Sequence, residues 1–156
     1  MSEPFQIREA TAADIKIVMH HRRTMFCDMG YGDEAALAAM AQTSKPYFLR
    51  GLENGSYRGW LIEDEAGKVI AGGGVIITDY HSSPMDPLPK RAIAVNVYTE
   101  PEYRRRGLAR KLMKIMIEWC REHGLGTMLL HASDDGRVLY ESLGFEQTNE
   151  MRLRLK

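Results

Sequence analysis

The fold is decided by Val95-Asn96-Val97-Tyr98-Thr99-Glu100-Pro101-Glu102-Tyr103-Arg104-Arg105-Arg106-Gly107-Leu108-Ala109-Arg110. At its upstream end, Ala92 to Val97 is apolar at almost every position, the pattern of a strand buried on both faces. Downstream, Leu108, Leu112, Ile115, Met116, Trp119 and Cys120 recur at helical spacing and mark one face of a helix from Gly107 to Glu122. A buried strand thus feeds a turn, and the turn feeds a helix through a basic, glycine-containing start. The first turn of a helix leaves about four backbone N–H groups unpaired and carries roughly half a positive charge. Gly107 and Ala109 keep bulk away from those donors. Arg104, Arg105, Arg106 and Arg110 add fixed positive charge beside them, against the stability logic that puts acids in a first helical turn. An anion such as a phosphate would offset that charge. The bland alternative is a solvated basic turn or a nucleic-acid patch, although the run is confined to one helix start and no aromatic platform is interleaved with it.

Working outward, Phe5-Gln6-Ile7-Arg8 alternates like an edge strand. Thr11 resembles an N-cap with Asp14 three residues on. Ile15, Val18, Met19, Arg22, Met25 and Phe26 form a mostly apolar helical stripe that ends at Gly30 and Gly32. A second, Ala-rich helix starts near Asp33, its length uncertain because of Pro46. Tyr57–Glu63 and Lys68–Tyr80 read as strands joined by Asp64-Glu65-Ala66-Gly67. The three prolines between His81 and Lys90 make a surface loop. After the helix come a short strand, Thr127 to His131, a short helix, Gly136 to Leu143, and an alternating final strand, Phe145 to Leu155. The expected fold is an α/β (α+β) sandwich occupying residues 1–156 as a single domain.

Composition narrows the function classes. The chain has 156 residues, and its 44% hydrophobic and 27% charged residues suit a packed globular core. Twenty-one basic residues balance 21 acidic ones, so a general nucleic-acid binder is not expected. The longest apolar and glycine run, Val69 to Ile77, is far below the ~20 residues of a membrane helix, and Met1-Ser2-Glu3-Pro4 has no leader pattern. Cys27 and Cys120 have no metal-like spacing. A reduced, cytoplasmic protein without a metal is the simplest expectation.

Arg104-x-x-Gly107-x-Ala109 resembles the acyl-CoA pyrophosphate motif of the GNAT superfamily of N-acyltransferases. Val138-Leu139-Tyr140-Glu141-Ser142-Leu143-Gly144-Phe145 is similar to the closing L-Y-E-x-x-G-F pattern of the same family. The match covers about residues 91 to 147. It implies a mixed central sheet of six to seven strands flanked by about four helices. Acetyl-CoA would lie in a V-shaped gap between two central parallel strands, Ala92–Thr99 and Thr127–His131. A bulge in the first strand would open that gap. Val97, Tyr98 and Thr99 would pair with the pantetheine arm, and the amides of Arg105, Arg106, Gly107, Leu108, Ala109 and Arg110 would hold the pyrophosphate.

Tyr140 occupies the family's general-acid position, where a phenol would protonate the departing CoA thiolate. No family-type strand Glu is present: Asn96 or Tyr98 stands there. His131 is a weak candidate for a base, with an orienting hydrogen-bond role as its alternative. The family's Asn before the tyrosine is also missing; Ser133 or Asp134 substitutes for it, and Arg137 reaches toward a phosphate, while Asp134 and Asp135 also suit a helix cap. The resemblance implies transfer of an acetyl group to a primary amine, on a small molecule or a protein. A non-catalytic acyl-CoA sensor is the alternative. Homodimers are common in the family, but no sequence feature establishes one. Gly72-Gly73-Gly74 lies within a strand run and points to close backbone approach or a bulge. His20-His21 reads as helix surface. Asp28, Asp33 and Glu34 could attract a cationic amine or could be ordinary surface charge.

Overall fold

One mixed sheet is built in chain order from β1 (Gln6–Glu9), β2 (Tyr57–Glu63), β3 (Val69–Asp79), β4 (Lys90–Thr99) and β5 (Met128–Leu129). The first four strands are antiparallel, and β5 joins β4 in parallel. The helices are α1 (Ile15–Asp28), α2 (Glu34–Asn54), α3 (Leu108–Glu122) and α4 (Asp134–Ser142). This computed structural model describes residues 4–156; Met1–Glu3, part of the terminus read above for a leader, lie outside the described residues. No helix among them is long and apolar enough to cross a membrane.

Strand alternation divides the core. Leu112, Met113 and Met116 of α3 pack with Ile62, Ile70, Ala92 and Ala94. Val18 of α1 and Phe48 of α2 pack with Tyr57 in a separate cluster. Residues on one strand separate by parity, as the period of two requires: Trp60 and Ile62 join the α3 cluster, whereas Leu61 lies by His21 of α1. The Thr11–Asp14 capping pair is present, with the Thr11 amide donating to Asp14 Oδ2 at 2.8 Å. Asp14 also takes both terminal nitrogens of Arg8 at 2.9 Å, which ties the start of α1 to β1 and holds its carboxyl below the usual range. α2 runs through Pro46. Gln42 and Pro46 are both exposed, so water can satisfy the carbonyl that proline leaves without a donor.

The sheet has five strands, not six to seven. The segment Phe145 to Leu155 forms no strand, and Met151, Leu153 and Leu155 are 94%, 81% and 86% exposed. Their alternation is strand-like, but the segment forms no ladder with the sheet. β5 is therefore an edge rather than a central strand, and only two residues of the expected Thr127–His131 are in it.

The glycine run of β3 admits the protein's own side chains. A Cβ on Gly72 would lie 2.8 Å from His21 Nδ1, and one on Gly74 would lie 2.3 Å from Tyr57 Oη. Gly73 is looser, with its nearest neighbours at 3.2 Å. Gly74→Ala is accordingly expected to cost ~1–3 kcal/mol by overpacking, a fall of roughly 3–10 °C in Tm, and Gly73→Ala distinctly less. Thermal melts of the two variants check this ordering.

Candidate active site

The parallel pairing of β4 and β5 is short. It joins Ala92 to Met128 and Ile93 to Leu129, and then stops. β4 continues to Thr99, so its edge from Ala94 onward has no strand beside it on that side. The closed end of this splay is pinned by a buried cluster. Asp86, in the proline-rich loop, pairs with Arg91 at 3.1 Å and accepts a short hydrogen bond from the Thr127 hydroxyl. Loop, β4 and the start of β5 are thus fixed together, and Asp86 is held ionised well below the usual carboxylate range, chiefly by the Thr127 hydroxyl.

The splay opens at a bulge. Gly72 faces Tyr98 and Gly74 faces Val95, so Asn96 and Val97 together oppose Gly73. Asn96 takes the left-handed conformation, with φ of 61°. The extra residue shifts the strand's phase. Ala92 and Ala94 belong to the α3 side, Val95 and Asn96 both turn to the α1–α2 side, and Val97 returns to the α3 cluster. Asn96 Nδ2 donates to the Tyr57 hydroxyl at 3.2 Å, and its Oδ1 accepts from Arg22 Nη1 at 3.0 Å. Tyr98 stacks near His21, with ring centroids 5.5 Å apart.

Beyond Thr99 the chain makes a short 3-10 turn at Pro101–Tyr103 and enters α3. Gly107 is the N-cap at φ of 76°, and Arg105 also has positive φ, at 64°. The amide of Lys111 bonds to the Gly107 carbonyl at 3.1 Å, which leaves Leu108, Ala109 and Arg110 without an acceptor one turn earlier in the helix. The four arginines do not point to one place. Arg104 donates to the Thr99 carbonyl at 2.9 Å and pairs with Asp28 at 2.7 Å. Arg105 is exposed, and Arg106 lies over the Tyr103 ring at 5.2 Å. Arg110 reaches the Ser142 hydroxyl at 2.9 Å and so joins the first turn of α3 to the end of α4.

That bond brings the helix of Tyr140 to the phosphate-like turn. Tyr140 is half-buried with its ring edge-on to Phe145 at 5.9 Å, and Gly136, one turn earlier, gives the ring room. Burial raises its pKa above the ordinary phenol value, so it is protonated at neutral pH. Ser133 caps α4, its hydroxyl accepting from the Gly136 amide at 3.1 Å, and Arg137 donates to Gln147 at 3.4 Å. His131 lies at the surface, 3.6 Å from Glu150, with its side chain 75% exposed. Asp28 and Glu34, considered above as attractors of a cationic amine, are paired with Arg104 and Arg23, and Asp33 caps α2.

A family model described as an acetyltransferase (GNAT) domain matches residues 55–147. The chain belongs to the GNAT acetyltransferase family. A GCN5-related N-acetyltransferase from Ralstonia eutropha JMP134 superposes with a TM-score of 0.92 at 33% identity, covering 97% of this chain and 98% of that one. A predicted acetyltransferase from Clostridium acetobutylicum, solved with acetyl-CoA, has the same fold at 24% identity and a TM-score of 0.88, over 97% and 96% of the two chains. Human N-acetyltransferase 8 is 27% identical over 125 residues, which is 77% of this chain and 50% of that protein. The Escherichia coli N-acetyltransferase YjgM is 34% identical over 90 residues, 56% of this chain and 50% of that one. The matched stretch thus spans about half the length of these curated relatives.

Two parts of this GNAT site escaped the sequence reading. Arg22, Tyr57 and Asn96 form one polar cluster at the bulge, and the only hint was an arginine inside the apolar stripe of α1. His21 is a correction: it is 2% exposed, not helix surface. His20 is more exposed and reaches Glu100 at 3.0 Å, and both imidazoles lie near the Tyr98 ring. Burial, reinforced by neighbouring His20, pushes the His21 pKa down to about 4. The unfolded chain takes up its proton first, near the ordinary value of 6.5. Stability from this group is therefore complete above pH 6.5 and is lost as pH falls toward 4, about 3 kcal/mol in all. Denaturant unfolding between pH 7 and 4.5 is expected to show that slope, and His21→Leu to flatten it.

Proposed function

We propose that this protein transfers an acetyl group from acetyl-CoA to a primary amine. The observation that carries the reading is one continuous path. The unpaired edge of β4 past the bulge leads straight to the N-terminus of α3, and Arg110–Ser142 holds the Tyr140 helix across from it. In this reading Val97, Tyr98 and Thr99 offer backbone groups to the pantetheine arm. The amides of residues 105–110 face the pyrophosphate, where the helix dipole and the surrounding arginines favour negative charge. Arg104, committed to Asp28 and Thr99, shapes the turn more than it contacts the ligand.

The amine nitrogen attacks the thioester carbonyl carbon, and a strand amide near Val97 polarises the carbonyl oxygen. The C–S bond then breaks, the thiolate takes the Tyr140 proton, and the surplus proton on nitrogen passes to solvent, from which Tyr140 is reprotonated. Burial supports the acid role by keeping the phenol protonated until the thiolate forms. The acceptor amine must be neutral to attack. At pH 7 that costs about 4.6 kcal/mol for a lysine side chain and about 1.4 kcal/mol for an α-amine, so an α-amine needs far less help from a base.

Saturating acetyl-CoA, at 100 times Kd, should add about 2.7 kcal/mol and raise Tm by roughly 5–11 °C. Absence of any shift removes the reading. Tyr140→Phe should lower kcat by about 100-fold while leaving acetyl-CoA affinity within about twofold. Steady-state release of free CoA measures this, and unchanged turnover takes Tyr140 out of the mechanism. A thermal shift without CoA release from any amine identifies a sensor instead.

A further inference from the structure

Arg22 projects from α1 toward the bulge of β4. Its guanidinium lies over the rings of Phe26 and Phe48, at 5.2 and 5.1 Å from their centroids. Nη1 donates to Asn96 Oδ1 at 3.0 Å. Nε is buried without a hydrogen-bond partner, the one such side-chain nitrogen or oxygen among the described residues. No carboxylate among those residues pairs with this arginine, and the titratable groups facing it are the phenols of Tyr47 and Tyr57.

This is an unusual state for a half-buried arginine. Its guanidinium cannot shed the charge, and a sequestered cation without an anion is costly. The protein's other sequestered guanidinium, Arg91, has Asp86 at 3.1 Å. Arg22 has no equivalent, and burial draws its pKa below the ordinary value. With Nη1 committed to Asn96, the edge formed by Nε and Nη2 has no acceptor. Nε is closed to solvent, so Nη2 is the nitrogen left to meet an oxygen of an anion such as a carboxylate. The position also fits a substrate. Asn96 precedes Val97, where the thioester carbonyl is placed in the proposed reaction, and Arg22 approaches from the α1–α2 side, away from α3.

We propose that Arg22 is the anion-binding group of the acceptor site, so that the amine substrate also carries a carboxylate, as an amino acid or a close derivative does. This rests on the acetyl-transfer reading for the identity of the substrate, but not for the existence of the carboxylate site. The aromatic walls supplied by Phe26 and Tyr47 would take the apolar part of such a molecule, and Tyr57 would hold Asn96 in place to keep Nη1 occupied.

The test uses the full-length protein with L-amino acids, each assayed beside its C-terminal amide. The amide keeps the side chain and loses the charge that Arg22 would bind; its α-ammonium is also more acidic, so kcat/KM is compared per neutral amine. Release of free CoA gives kcat/KM, and thermal melts of the CoA-loaded protein with the corresponding N-acetyl amino acids and their amides give binding without turnover. At least one acid should exceed its amide by about 30-fold or more in kcat/KM, and its N-acetyl form alone should stabilise the CoA complex. Arg22→Gln should bring that ratio close to one while the acetyl-CoA shift in Tm persists, and Arg22→Lys should keep part of the preference. Equal use of acids and amides overturns the proposal, as does a preference that survives Arg22→Gln. Failure of every acid both to turn over and to stabilise, with the acetyl-CoA shift intact, also overturns it and leaves the transferase reading standing. Arg22-dependent stabilisation by an acid without acetyl-CoA binding does the reverse: the carboxylate site stands and the transferase reading falls.

Discussion

One extra residue in β4 sets the geometry on which the rest of the molecule depends. Asn96 and Val97 share the single partner position of Gly73. A strand of period two cannot absorb an added residue without inverting every side chain beyond it. The positive φ of Asn96 takes up that mismatch locally, so Val97 and Tyr98 resume alternation in the opposite phase. β4 therefore leaves β5 after two paired residues, and its continuing edge faces open space where another strand would otherwise lie. The Asp86–Arg91–Thr127 cluster holds the two strands together at the other end, so the opening is a wedge with a fixed hinge.

The bulge also explains the glycines opposite it. Residues that a regular sheet would send to alternate faces crowd the α1–α2 side here, and two large rings, Tyr57 and His21, must lie flat against β3. Only glycine at positions 72 and 74 leaves them room. Tyr57 in turn carries the hydrogen bond that fixes Asn96, and burial raises its own pKa to about 12, so its hydroxyl remains a neutral partner. The glycine run, the bulge and the polar cluster are thus one arrangement. Arg22 is the member of it whose charge the protein leaves uncompensated, in contrast to Arg8, Arg91 and Arg104, each of which has a carboxylate.

The segments from β4 to α4 were legible because their signals are local. Strand, turn, glycine and amphipathic helix follow in fixed order, and the structure adds that Gly107 caps the helix in the left-handed conformation. Pro46 left the length of α2 open because a proline is tolerated where the freed carbonyl faces water, and exposure is a tertiary property. The last strand misled for a related reason. Alternation in Met151-Arg152-Leu153-Arg154-Leu155 describes a chain able to pair, and whether it does is decided by where the fold carries it; here these apolar side chains stay exposed. Asp28 and Glu34 looked available as surface charge until folding placed Arg104 and Arg23 beside them.

By itself the sequence determined the order of elements as far as α4, with the helix start that precedes it and the tyrosine helix itself. These depend on contacts within a turn or two and on hydrophobic period. The tertiary structure alone decided that the half-buried Arg22 has no carboxylate beside it, which histidine is buried, and where β4 parts from β5. Each of those depends on residues far apart in the chain meeting in space: Arg22 with Asn96, His21 with Gly72, Asp86 with Thr127. Charge compensation and desolvation are properties of that meeting, and a linear pattern of residue types carries neither.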